Sequence, residues 1–549
     1  MLKEAIEKIF DGEVLDDEKS REFYARDASI FEIKPQVIVR PKTRDALKAL
    51  VKFVSAHRAA GDIKMEISAR SGGTDMGGGP LGESIVVDFT AHLNKLIGLN
   101  KDEAVVEPGL FYRDLEKETD KLGVMLPSYP ASKSICALGG MVANNSAGEK
   151  TLAYGQTEKY ITEVKAVLSD GEEYSFGPLA RKELEAKAAE NNFEGKIYSK
   201  MRSLVFDNLE TIENARPKVS KNTAGYALWN IWDGEHFNLA KLFCGAQGTL
   251  GLITEARLKL IPKKKYSKLL VAFLKDQKPV SEFARRALAY HPESIESFDD
   301  NTLKIALRFF FDIIRVMKAK NFLKLALQFL PEFFMVLRGG VPKLIFLVEL
   351  TDNDEGKLDE RLVRMRDDLT KLPITIRVIK SEAEGDKYWT MRRESFNLLR
   401  NRIKDKQTAP FIDDFVVRPE DLSEFLPRLD AILLPYSGKL IYTIAGHIGN
   451  GNFHIIPLMN LDDPETKRII PELMEKVYAL VLTFHGSITA EHNDGLIRSP
   501  YLKKMYGEKV YGLFEEVKKI FDPENIFNPG KKVGSSLEYA LSKIKSKSK

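Results

Sequence analysis

The feature that most constrains this chain is a glycine-rich loop, residues 70–79, which contains five glycines in ten residues. Glycine lets the backbone curl so that successive N–H groups face one anion, which is the arrangement of a phosphate-binding nest. The loop lacks the lysine of a Walker loop and the spacing of a Rossmann fingerprint. Because the flanking residues 65–69 and 84–88 are predicted strands, we interpret it as a binding loop rather than a flexible linker.

Two further segments, residues 130–148 and 244–255, have the same small-residue character and also lie among predicted strands. A mononucleotide needs one such loop, whereas a dinucleotide needs several. The three segments together therefore predict an α+β domain through which one long ligand is threaded.

Late in the chain, residues 446–454 hold two of its eight histidines, His447 and His454. Strand-like runs flank the segment, and Asn450-Gly451 predicts a type I′ hairpin turn, which requires a positive φ at both positions. Such a hairpin brings the two imidazoles side by side, where they could bind a metal, grip an anion or share acid–base work. The alternative is a loop with two ordinary histidines.

Adjacent Glu491 and His492 lie in a second Gly/Asn-rich loop and offer a carboxylate ligand and a base. With His447 and His454, Glu491 would complete an N,N,O metal set that leaves positions open for a substrate. Sequence spacing does not show whether these side chains meet.

An arginine pair, Arg392-Arg393, follows Trp389. Arginine binds carboxylates bidentately, so the pair could hold an acidic substrate. A solvated helix face on which Glu394 pairs with one of the arginines explains the composition equally well.

Composition restricts the class of protein. A chain of 549 residues exceeds one hydrophobic core and predicts two or three domains. The net charge of +4 is too small to indicate a nucleic-acid partner, and two cysteines cannot form a disulfide framework or hold an iron–sulfur cluster alone. Neither a signal peptide nor a run of about 18 apolar residues occurs, so we expect a cytoplasmic protein.

Three segments carry further expectations. Residues 1–28 are charged and helix-prone and predict an N-terminal helical appendage, and residues 534–549 predict a disordered basic tail. Residues 303–338 combine a wide apolar face with a basic stripe, at seven Lys and Arg against two Asp and Glu, a net charge of +5. Three interpretations of this insertion stay open: a cap helix on its own core, a helix on an anionic membrane surface, or a docking site for a partner subunit.

At these residues a resemblance becomes specific. The three glycine-rich segments, in this order, resemble the FAD-binding domain of the vanillyl-alcohol-oxidase/PCMH flavoprotein family, as does the Lys-Asn-x-x-Gly-Tyr segment at 221–226. The resemblance implies a two-lobed PCMH-type domain over 29–263 in which residues 70–77 hold the pyrophosphate of FAD. The implied FAD-binding residues are Arg70, Ser71, Gly72, Gly73, Thr74, Asp75, Met76, Gly77, Pro130, Ser134, Gly139, Gly140, Asn144, Asn145, Gly148, Tyr154, Gly245, Gly248, Thr249, Gly251, Ile253 and Asn528.

Some members of that family bind FAD covalently through a histidine that follows the paired glycines of the first loop. Thr74 stands at that position here, so the resemblance implies non-covalent FAD. Cys136 and Cys244 are interpreted as buried apolar residues rather than as tethers.

The C-terminal half resembles the oxidase domain of the D-lactate dehydrogenase/glycolate oxidase subunit/D-2-hydroxyglutarate dehydrogenase branch, through residues 446–454, 491–492 and 521–531. The implied fold class is α+β, with an α+β cap domain over 264–533. The implied reaction is FAD-dependent oxidation of a D-2-hydroxy acid to the 2-oxo acid, by hydride transfer to flavin N5. The implied roles are a divalent metal, zinc, on His447, His454 and Glu491, a base in His492, a substrate contact from Asn452 and a carboxylate clamp from Arg392.

The chain departs from the family pattern at several positions. Asn450 stands where the family has Asp, which removes a negative charge beside the metal histidines, and Asn493 stands where it has Gly. The lysine that the hydroxyglutarate enzymes carry has no counterpart at 411–413, which favours a monocarboxylate such as lactate or glycolate. The appended Cys-rich domain of many relatives is missing, so electrons must leave to oxygen, a quinone, a cytochrome or an iron–sulfur subunit.

Two other functions stay open. One is an alkyl-glycerone-phosphate synthase-like flavin transferase, which needs a phosphate pocket and a lipid-facing cap. The other is a flavoprotein subunit that only relays electrons, against which the four residues His447, His454, Glu491 and His492 argue. The expected partners are a small 2-hydroxy acid and an electron acceptor, with peripheral contact to the inner face of the membrane and a homodimer as further hypotheses.

Overall fold

The computed structural model describes residues 2–308, 340–403 and 406–546. In these residues the strands are β1 (Gly12–Leu15), β2 (Val37–Pro41), β3 (Ile67–Arg70), β4 (Ile85–Asp88), β5 (Leu96–Leu99), β6 (Glu103–Val106), β7 (Val124–Met125), β8 (Ile161–Val167), β9 (Glu173–Phe176), β10 (Pro178–Ala180), β11 (His236–Asn238), β12 (Leu252–Lys259), β13 (Ile261–Pro262), β14 (Tyr266–Leu274), β15 (Ser294–Asp299), β16 (Leu344–Asp352), β17 (Thr375–Val378), β18 (Gln407–Thr408), β19 (Phe415–Val416), β20 (Ile444–His447), β21 (Asn452–Ile455) and β22 (Leu458–Met459).

The α-helices of the same residues are α1 (Leu2–Glu7), α2 (Glu18–Tyr24), α3 (Arg44–Ala59), α4 (Tyr112–Lys121), α5 (Leu138–Asn144), α6 (Thr151–Tyr154), α7 (Arg181–Ala188), α8 (Phe193–Asp207), α9 (Leu209–Ala215), α10 (Ala240–Phe243), α11 (Val280–Leu288), α12 (Asp300–Arg308), α13 (Glu355–Leu369), α14 (Glu382–Arg402), α15 (Leu422–Leu433), α16 (Pro464–Thr483), α17 (Gly495–Arg498), α18 (Leu502–Phe521) and α19 (Leu537–Ser542).

The first lobe is a four-stranded sheet in the order β1-β2-β4-β3, in which β2, β4 and β3 are parallel. All four residues of β4 are buried, as expected for an apolar strand covered on both faces. α3 connects β2 to β3, and the Thr43 hydroxyl caps it by accepting the Ala46 N–H at 3.2 Å. The two predicted strands beside the first glycine loop are therefore confirmed.

The second lobe is a five-stranded antiparallel sheet in the order β5-β6-β12-β8-β9. Its core includes Phe176, Phe243 and Phe521, whose rings lie within 6.2 Å of one another. Cys136 and Cys244 are buried in the same core, as predicted, and burial raises the pKa of the Cys136 thiol to about 12. The first glycine-rich segment lies between β3 and β4 of the first lobe, whereas the second precedes β8 and the third leads into β12 of the second lobe.

The cap domain is a seven-stranded sheet in the order β17-β14-β16-β15-β20-β21-β19. Side chains alternate across β14: Leu270 and Ala272 face the larger core, and Leu269 and Val271 face a smaller one. Helices α11, α13, α15 and α16 contribute to the larger core. Strand β20 of the histidine hairpin pairs with β15, so the hairpin is part of this sheet.

The hairpin turn differs from the prediction. Residues Ile448–Asn450 form a single 3-10 turn, and only Gly451 of the Asn450-Gly451 pair has a positive φ, of 70°. A type I′ turn is therefore wrong, because β20 ends at His447 and four residues, not two, separate the strands. A Cβ at Gly451 would lie 1.8 Å from the Val417 carbonyl oxygen, so close packing against β19 explains the glycine.

Both ends of the chain are more integrated than predicted. The N-terminal segment is not purely helical, because β1 pairs antiparallel with β2 and extends the first sheet. The C-terminal tail is not disordered over residues 537–546: α19 is followed by a bridge between Ile544 and Phe31. Lys545 N–H also donates to the Ile30 carbonyl oxygen at 2.9 Å. Backbone pairing, which composition does not reveal, holds both ends.

The last part of the predicted cap domain returns to the first domain. α18 packs Phe514 and Phe521 into the core of the second lobe, and Phe527 bridges Ile67 at the edge of the first sheet. The chain therefore crosses between its two domains twice, and its C-terminal strand-like segment borders the first glycine loop.

We expect Ile544→Ala to loosen the tail. Ile544 is 7% exposed, and truncating a buried Ile costs about 2 kcal/mol or more. If cleavage follows local opening, trypsin should cut the 534–546 segment roughly thirtyfold faster. Mass spectrometry of the released peptides measures the rate. Ile63→Ala, at a residue 76% exposed, is the matched control and should change nothing. An unchanged rate for Ile544→Ala would contradict the packing of the tail.

Most of the predicted insertion, residues 309–338, lies outside the described residues. Its first residues, 303–308, are the last residues of α12. The three interpretations of the insertion therefore stay as they were. Across residues 2–308, 340–403 and 406–546, no helix has both the length and the apolar character that a membrane span requires.

Candidate active site and cofactor cradle

A cavity of about 620 Å³ lies between the glycine-rich segments and the histidine hairpin. Its volume is within the roughly 300–1,000 Å³ typical of cofactor and ligand sites. One part of its wall consists of predicted cofactor residues, namely Arg70, Ser71, Gly72, Gly73, Thr74, Asp75, Met76, Pro130, Ser134, Gly139, Gly140, Asn144, Gly248, Gly251 and Ile253. The other part includes Arg392, His447, His454, Glu491 and His492.

The cradle depends on close approach between its loops. A Cβ at Gly72 would lie 2.7 Å from the Ile135 carbonyl oxygen, and one at Gly139 would lie 2.5 Å from Pro108 Cβ. Real Cβ atoms do not come so near, so only glycine fits at these positions. The cradle thus has the shape that a dinucleotide threaded between several loops requires.

The first glycine loop is not an open nest along its whole length. The Asp75 carboxylate accepts the N–H groups of Gly77 at 3.0 Å and Gly79 at 2.7 Å, and it accepts Asn144 Nδ2 at 2.9 Å. Asp75 therefore uses two of the amides that the sequence assigned to an anion, and it ties the first loop to the second.

Some predicted cofactor residues lie behind the cavity wall and brace it. Asn528 Nδ2 donates to the carbonyl oxygens of Gly79 and Gln247, at 2.8 and 2.7 Å, and the Tyr154 hydroxyl donates to Glu293 of the cap at 3.1 Å. These contacts join loops and domains. The predicted residues that do not reach the wall are Gly77, Asn145, Gly148, Tyr154, Gly245, Thr249 and Asn528.

At the cap side of the cavity, three imidazoles surround one carboxylate oxygen, Oε1 of Glu491. The Nε2 atoms lie at 3.3 Å in His447, 3.2 Å in His454 and 3.9 Å in His492. The His447 and His454 rings are perpendicular at 5.2 Å, and the His454 and His492 rings stack at 5.0 Å. The structure thus brings together all four side chains that the sequence singled out.

Buried carboxylates stand behind these imidazoles. Asp413 lies 3.2 Å from Nδ1 of His454 and 2.8 Å from Nδ1 of His492, and Glu296 lies 2.6 Å from Nδ1 of His447. In His447 and His454 this contact is a hydrogen bond that places a proton on Nδ1, whereas in His492 it is an ion-pair contact at which Nδ1 has no hydrogen-bond partner. Sequence reasoning missed Asp413 and Glu296 as site residues, because neither belongs to a glycine- or histidine-rich motif.

The pKa values of these groups depend on the close contacts between carboxylates and imidazoles. Burial alone would lower the pKa of His454, but Asp413 and Glu491 raise it to about 10. Burial also opposes protonation of His492, yet Asp414 and Asp413 raise its pKa above the ordinary value. Conversely, despite burial, His492 and His454 hold the pKa of Asp413 well below its usual range. The carboxylates thus strengthen both imidazoles as proton acceptors.

Asp414 shapes the loop that carries the catalytic candidates. Its backbone has a φ of 68°, and its carboxylate accepts the N–H groups of Glu491 at 2.9 Å and His492 at 2.7 Å. An Asp414 oxygen lies within 4.8 Å of ligand-type atoms of His454, Glu491 and His492. Because these oxygens are occupied by backbone donors, Asp414 is a brace rather than a metal ligand.

Asn452 does not reach the cavity wall. Its Nδ2 donates to Asp414 at 3.2 Å and to the Phe415 carbonyl oxygen at 3.1 Å, and its Oδ1 accepts Lys221 Nζ at 3.4 Å. All of these partners are inside the protein, and the residue is fully buried. Asn452 therefore braces the histidine hairpin, and its contact with substrate stays a prediction.

Lys221 of the first domain reaches into the cap site. Its buried Nζ lies 3.0 Å from Oε2 of Glu491. Although burial opposes ionisation, Lys221 and His447 hold the pKa of Glu491 well below its ordinary value. Glu491 is thus a permanent anion whose Oε1 faces the imidazoles, and Lys221 couples the two domains at the site.

Arg392 lies on α14 with its guanidinium against the buried Glu296, which also contacts His447. Its Nε is buried without a hydrogen-bond partner. An orphaned buried donor is costly, and a ligand carboxylate in the cavity would satisfy it. Arg392 therefore lines the cavity beside Glu296, and its role as a carboxylate clamp stays a prediction.

The two departures from the family pattern have structural explanations. The Asn450 side chain donates to the Ser220 hydroxyl at 3.0 Å and so ties the hairpin to the first domain. Asn493 has a φ of 64°, a conformation that Asn tolerates better than most residues, and its Nδ2 donates to the carbonyl oxygens of Asn144 and Gly245.

Family models match both domains of this chain. Residues 35–177 match the family described as FAD binding domain, and residues 263–532 match the FAD linked oxidases, C-terminal domain. The cavity thus joins the glycine-rich segments of the first matched domain to the histidine–carboxylate cluster of the second. The chain belongs to the FAD-linked oxidase family, in its PCMH-type fold.

The chain is similar in sequence to a D-2-hydroxyglutarate dehydrogenase and to a glycolate oxidase subunit. It is 28% identical to a D-2-hydroxyglutarate dehydrogenase of Pseudomonas putida, over 95% of this chain and 50% of that protein. The chain thus spans about half the length of that relative. It is 23% identical to the glycolate oxidase subunit GlcD of Bacillus subtilis, over 96% of each chain.

Two solved structures share the fold. An alkyldihydroxyacetonephosphate synthase aligns with a TM-score of 0.63 and 15% identity, over 94% of this chain and 82% of that one. A p-cresol methylhydroxylase with bound substrate aligns with a TM-score of 0.65 and 17% identity, over 94% and 93%. At these identities the likeness shows the fold alone.

Proposed function

We propose that this protein oxidises a small D-2-hydroxy acid, of the D-lactate or glycolate type, to the 2-oxo acid, with non-covalent FAD as cofactor. The observation that carries the proposal is that His492, Glu491 and Arg392 line the same cavity as the glycine cradle. The names of the similar proteins, among them a glycolate oxidase subunit, support the substrate class. The transferase alternative rests on fold likeness only, so we do not propose it.

The chain's own residues have distinct tasks in this reaction. Arg392 Nε, the orphaned donor, binds the substrate carboxylate and fixes the orientation of the acid. His492 Nε2 accepts the hydroxyl proton, and the negative charge of Asp413, 2.8 Å from Nδ1, stabilises the imidazolium that forms. The residues of the glycine cradle would hold FAD, which supplies the two-electron acceptor when bound.

We further propose that His447, His454 and Glu491 hold a divalent metal, zinc. Two imidazole nitrogens and a carboxylate, with further positions open, are a donor set that suits catalytic zinc, and buried carboxylates orient both histidines. When bound, such an ion supplies a Lewis acid that acidifies the substrate hydroxyl.

The metal assignment predicts that His447→Ala lowers zinc content. Removing one of three protein ligands should weaken binding by at least about the tenfold to hundredfold that even outer partners contribute. Elemental analysis of dialysed wild type and variant measures the metal per protein. His57→Ala, at an exposed residue of α3, is the control. An equal zinc content in wild type and His447→Ala would contradict the metal assignment.

Anaerobic mixing tests the main proposal. The purified flavoprotein is combined with D-lactate, glycolate and D-2-hydroxyglutarate, and flavin absorbance is followed. We expect D-lactate or glycolate to bleach the flavin. If none of the three acids does, the dehydrogenase proposal fails.

The electron acceptor is also a proposal. We infer that a quinone, a cytochrome or an iron–sulfur partner subunit takes the electrons, because the two cysteines of this sequence cannot hold an iron–sulfur cluster alone. The net charge of +5 over residues 303–338 supports an acceptor at an anionic membrane surface.

A further inference from the structure

An ion pair at the solvent edge of the cavity has no part in the proposed chemistry. The Arg393 guanidinium donates to Oε2 of Glu149 at 2.6 Å, and the Tyr129 hydroxyl donates to the other Glu149 oxygen at 3.4 Å. All three residues line the cavity. The Arg393 side chain is 49% exposed and that of Glu149 is 21% exposed, so the pair stands at the opening rather than in the interior.

The cation of this pair is held next to the proposed substrate clamp. Arg393 follows Arg392 on α14, and its guanidinium lies 5.1 Å from the centre of the Trp389 ring. Burial would lower the pKa of Arg393, but Glu149 and Tyr129 raise it, so the guanidinium stays charged. The cavity therefore presents two adjacent arginines, and each is in contact with a carboxylate of the protein.

We propose that Glu149 determines the substrate class by occupying Arg393. This inference rests on the proposed function. Glu149 contacts the Arg393 guanidinium through Nη2, so a second carboxylate on the substrate that approaches this guanidinium competes with Glu149 and meets its like charge. A 2-hydroxy acid of lactate or glycolate size carries no second charge and is unaffected. With Glu149 in place, the site selects short monocarboxylates, and with Arg393 released it accepts dicarboxylates.

The test is Glu149→Gln, which keeps the size of the side chain and removes its charge. We expect the ratio of kcat/KM for D-2-hydroxyglutarate to kcat/KM for D-lactate to rise about tenfold, chiefly through a lower KM for the dicarboxylate. The double variant Glu149→Gln/Arg393→Gln should lose this gain, because the receiving cation is gone. Glu118→Gln breaks a comparable ion pair with Lys121 on an exposed helix and should leave the ratio unchanged.

The outcomes separate the two proposals. A ratio within about twofold of wild type in Glu149→Gln, with D-lactate still reducing the flavin, overturns the inference and leaves the proposed function intact. A gain that survives in the double variant also overturns the inference, because Arg393 is then not the group that binds the second carboxylate. Failure of wild type to react with any of the acids overturns the proposed function itself. If Glu149→Gln yields no folded flavoprotein, Glu149→Asp, which withdraws the carboxylate by one methylene, takes its place with a smaller expected rise.

Discussion

His492→Ala is expected to slow flavin reduction by D-lactate by about 10²- to 10⁴-fold, the usual contribution of a general base. His492 is the imidazole of the cluster that the metal proposal leaves free, and Asp413, 2.8 Å from its Nδ1, orients it. Anaerobic stopped-flow measurement of flavin absorbance gives the rate. FAD content should be unchanged, since His492 belongs to the polar part of the wall rather than to the glycine cradle.

The control for this experiment is His57→Ala, which removes an exposed imidazole whose Nδ1 lies 2.8 Å from the Phe53 carbonyl oxygen. It should retain the wild-type rate. If His492→Ala also retained a rate within about threefold of wild type, the base would have to be another group and the assigned role would be wrong.

Asp413→Asn is expected to have a comparable or larger effect, although it changes only one atom type. The two oxygens of Asp413 lie at Nδ1 of His454 and of His492, so one fully buried carboxylate orients two imidazoles. The amide keeps one acceptor and replaces the other by a donor, so at the imidazole that faces its NH2 group the proton moves to Nε2 and blocks the lone pair. Loss of the negative charge also weakens both imidazoles as bases. In the Ser-His-Asp triad the equivalent change lowers kcat by about 10⁴-fold, and we expect roughly 10³-fold or more here.

Two readouts identify the cause. The rate of flavin reduction reports His492, and zinc content reports His454, so Asp413→Asn should lower both, whereas His492→Ala should lower only the rate. Asp359→Asn, at a 54% exposed partner of Lys268, is the matched control. An Asp413→Asn protein with normal rate and normal zinc would show that the imidazoles do not depend on this carboxylate.

Much of the site was predictable from the sequence because its signals are local. The density of glycines predicts binding loops at 70–79 and 139–148. The adjacency of Glu491 and His492 predicts a carboxylate ligand beside a base. The hairpin that brings His447 and His454 together follows from two strand-like runs around a turn, even though the turn type was wrong. Each of these features is carried by neighbouring residues, whose types alone restrict what the backbone and the side chains can do.

The remaining features were decided by the tertiary structure, because they depend on residues far apart in the chain. Lys221 and Glu491 are separated by 270 positions, and Glu296 and His447 by 151. No period or motif links such positions; only the packing of the cap sheet on the first domain does. The same holds for Asn452, whose contacts with Asp414 and Lys221 depend on residues far away in the sequence.

The sequence alone therefore predicted an α+β domain with several ligand-binding loops and the identities of the histidine and carboxylate candidates, since these follow from local glycine, strand and histidine patterns. Its resemblance to the PCMH flavoprotein family implied FAD and the two-domain fold. The tertiary structure decided which carboxylate orients which imidazole, which predicted residues reach the cavity, and that Glu149 occupies Arg393 at its opening. A side chain's partner is set by the three-dimensional meeting of distant segments, and that meeting is a property of packing rather than of any one stretch of sequence.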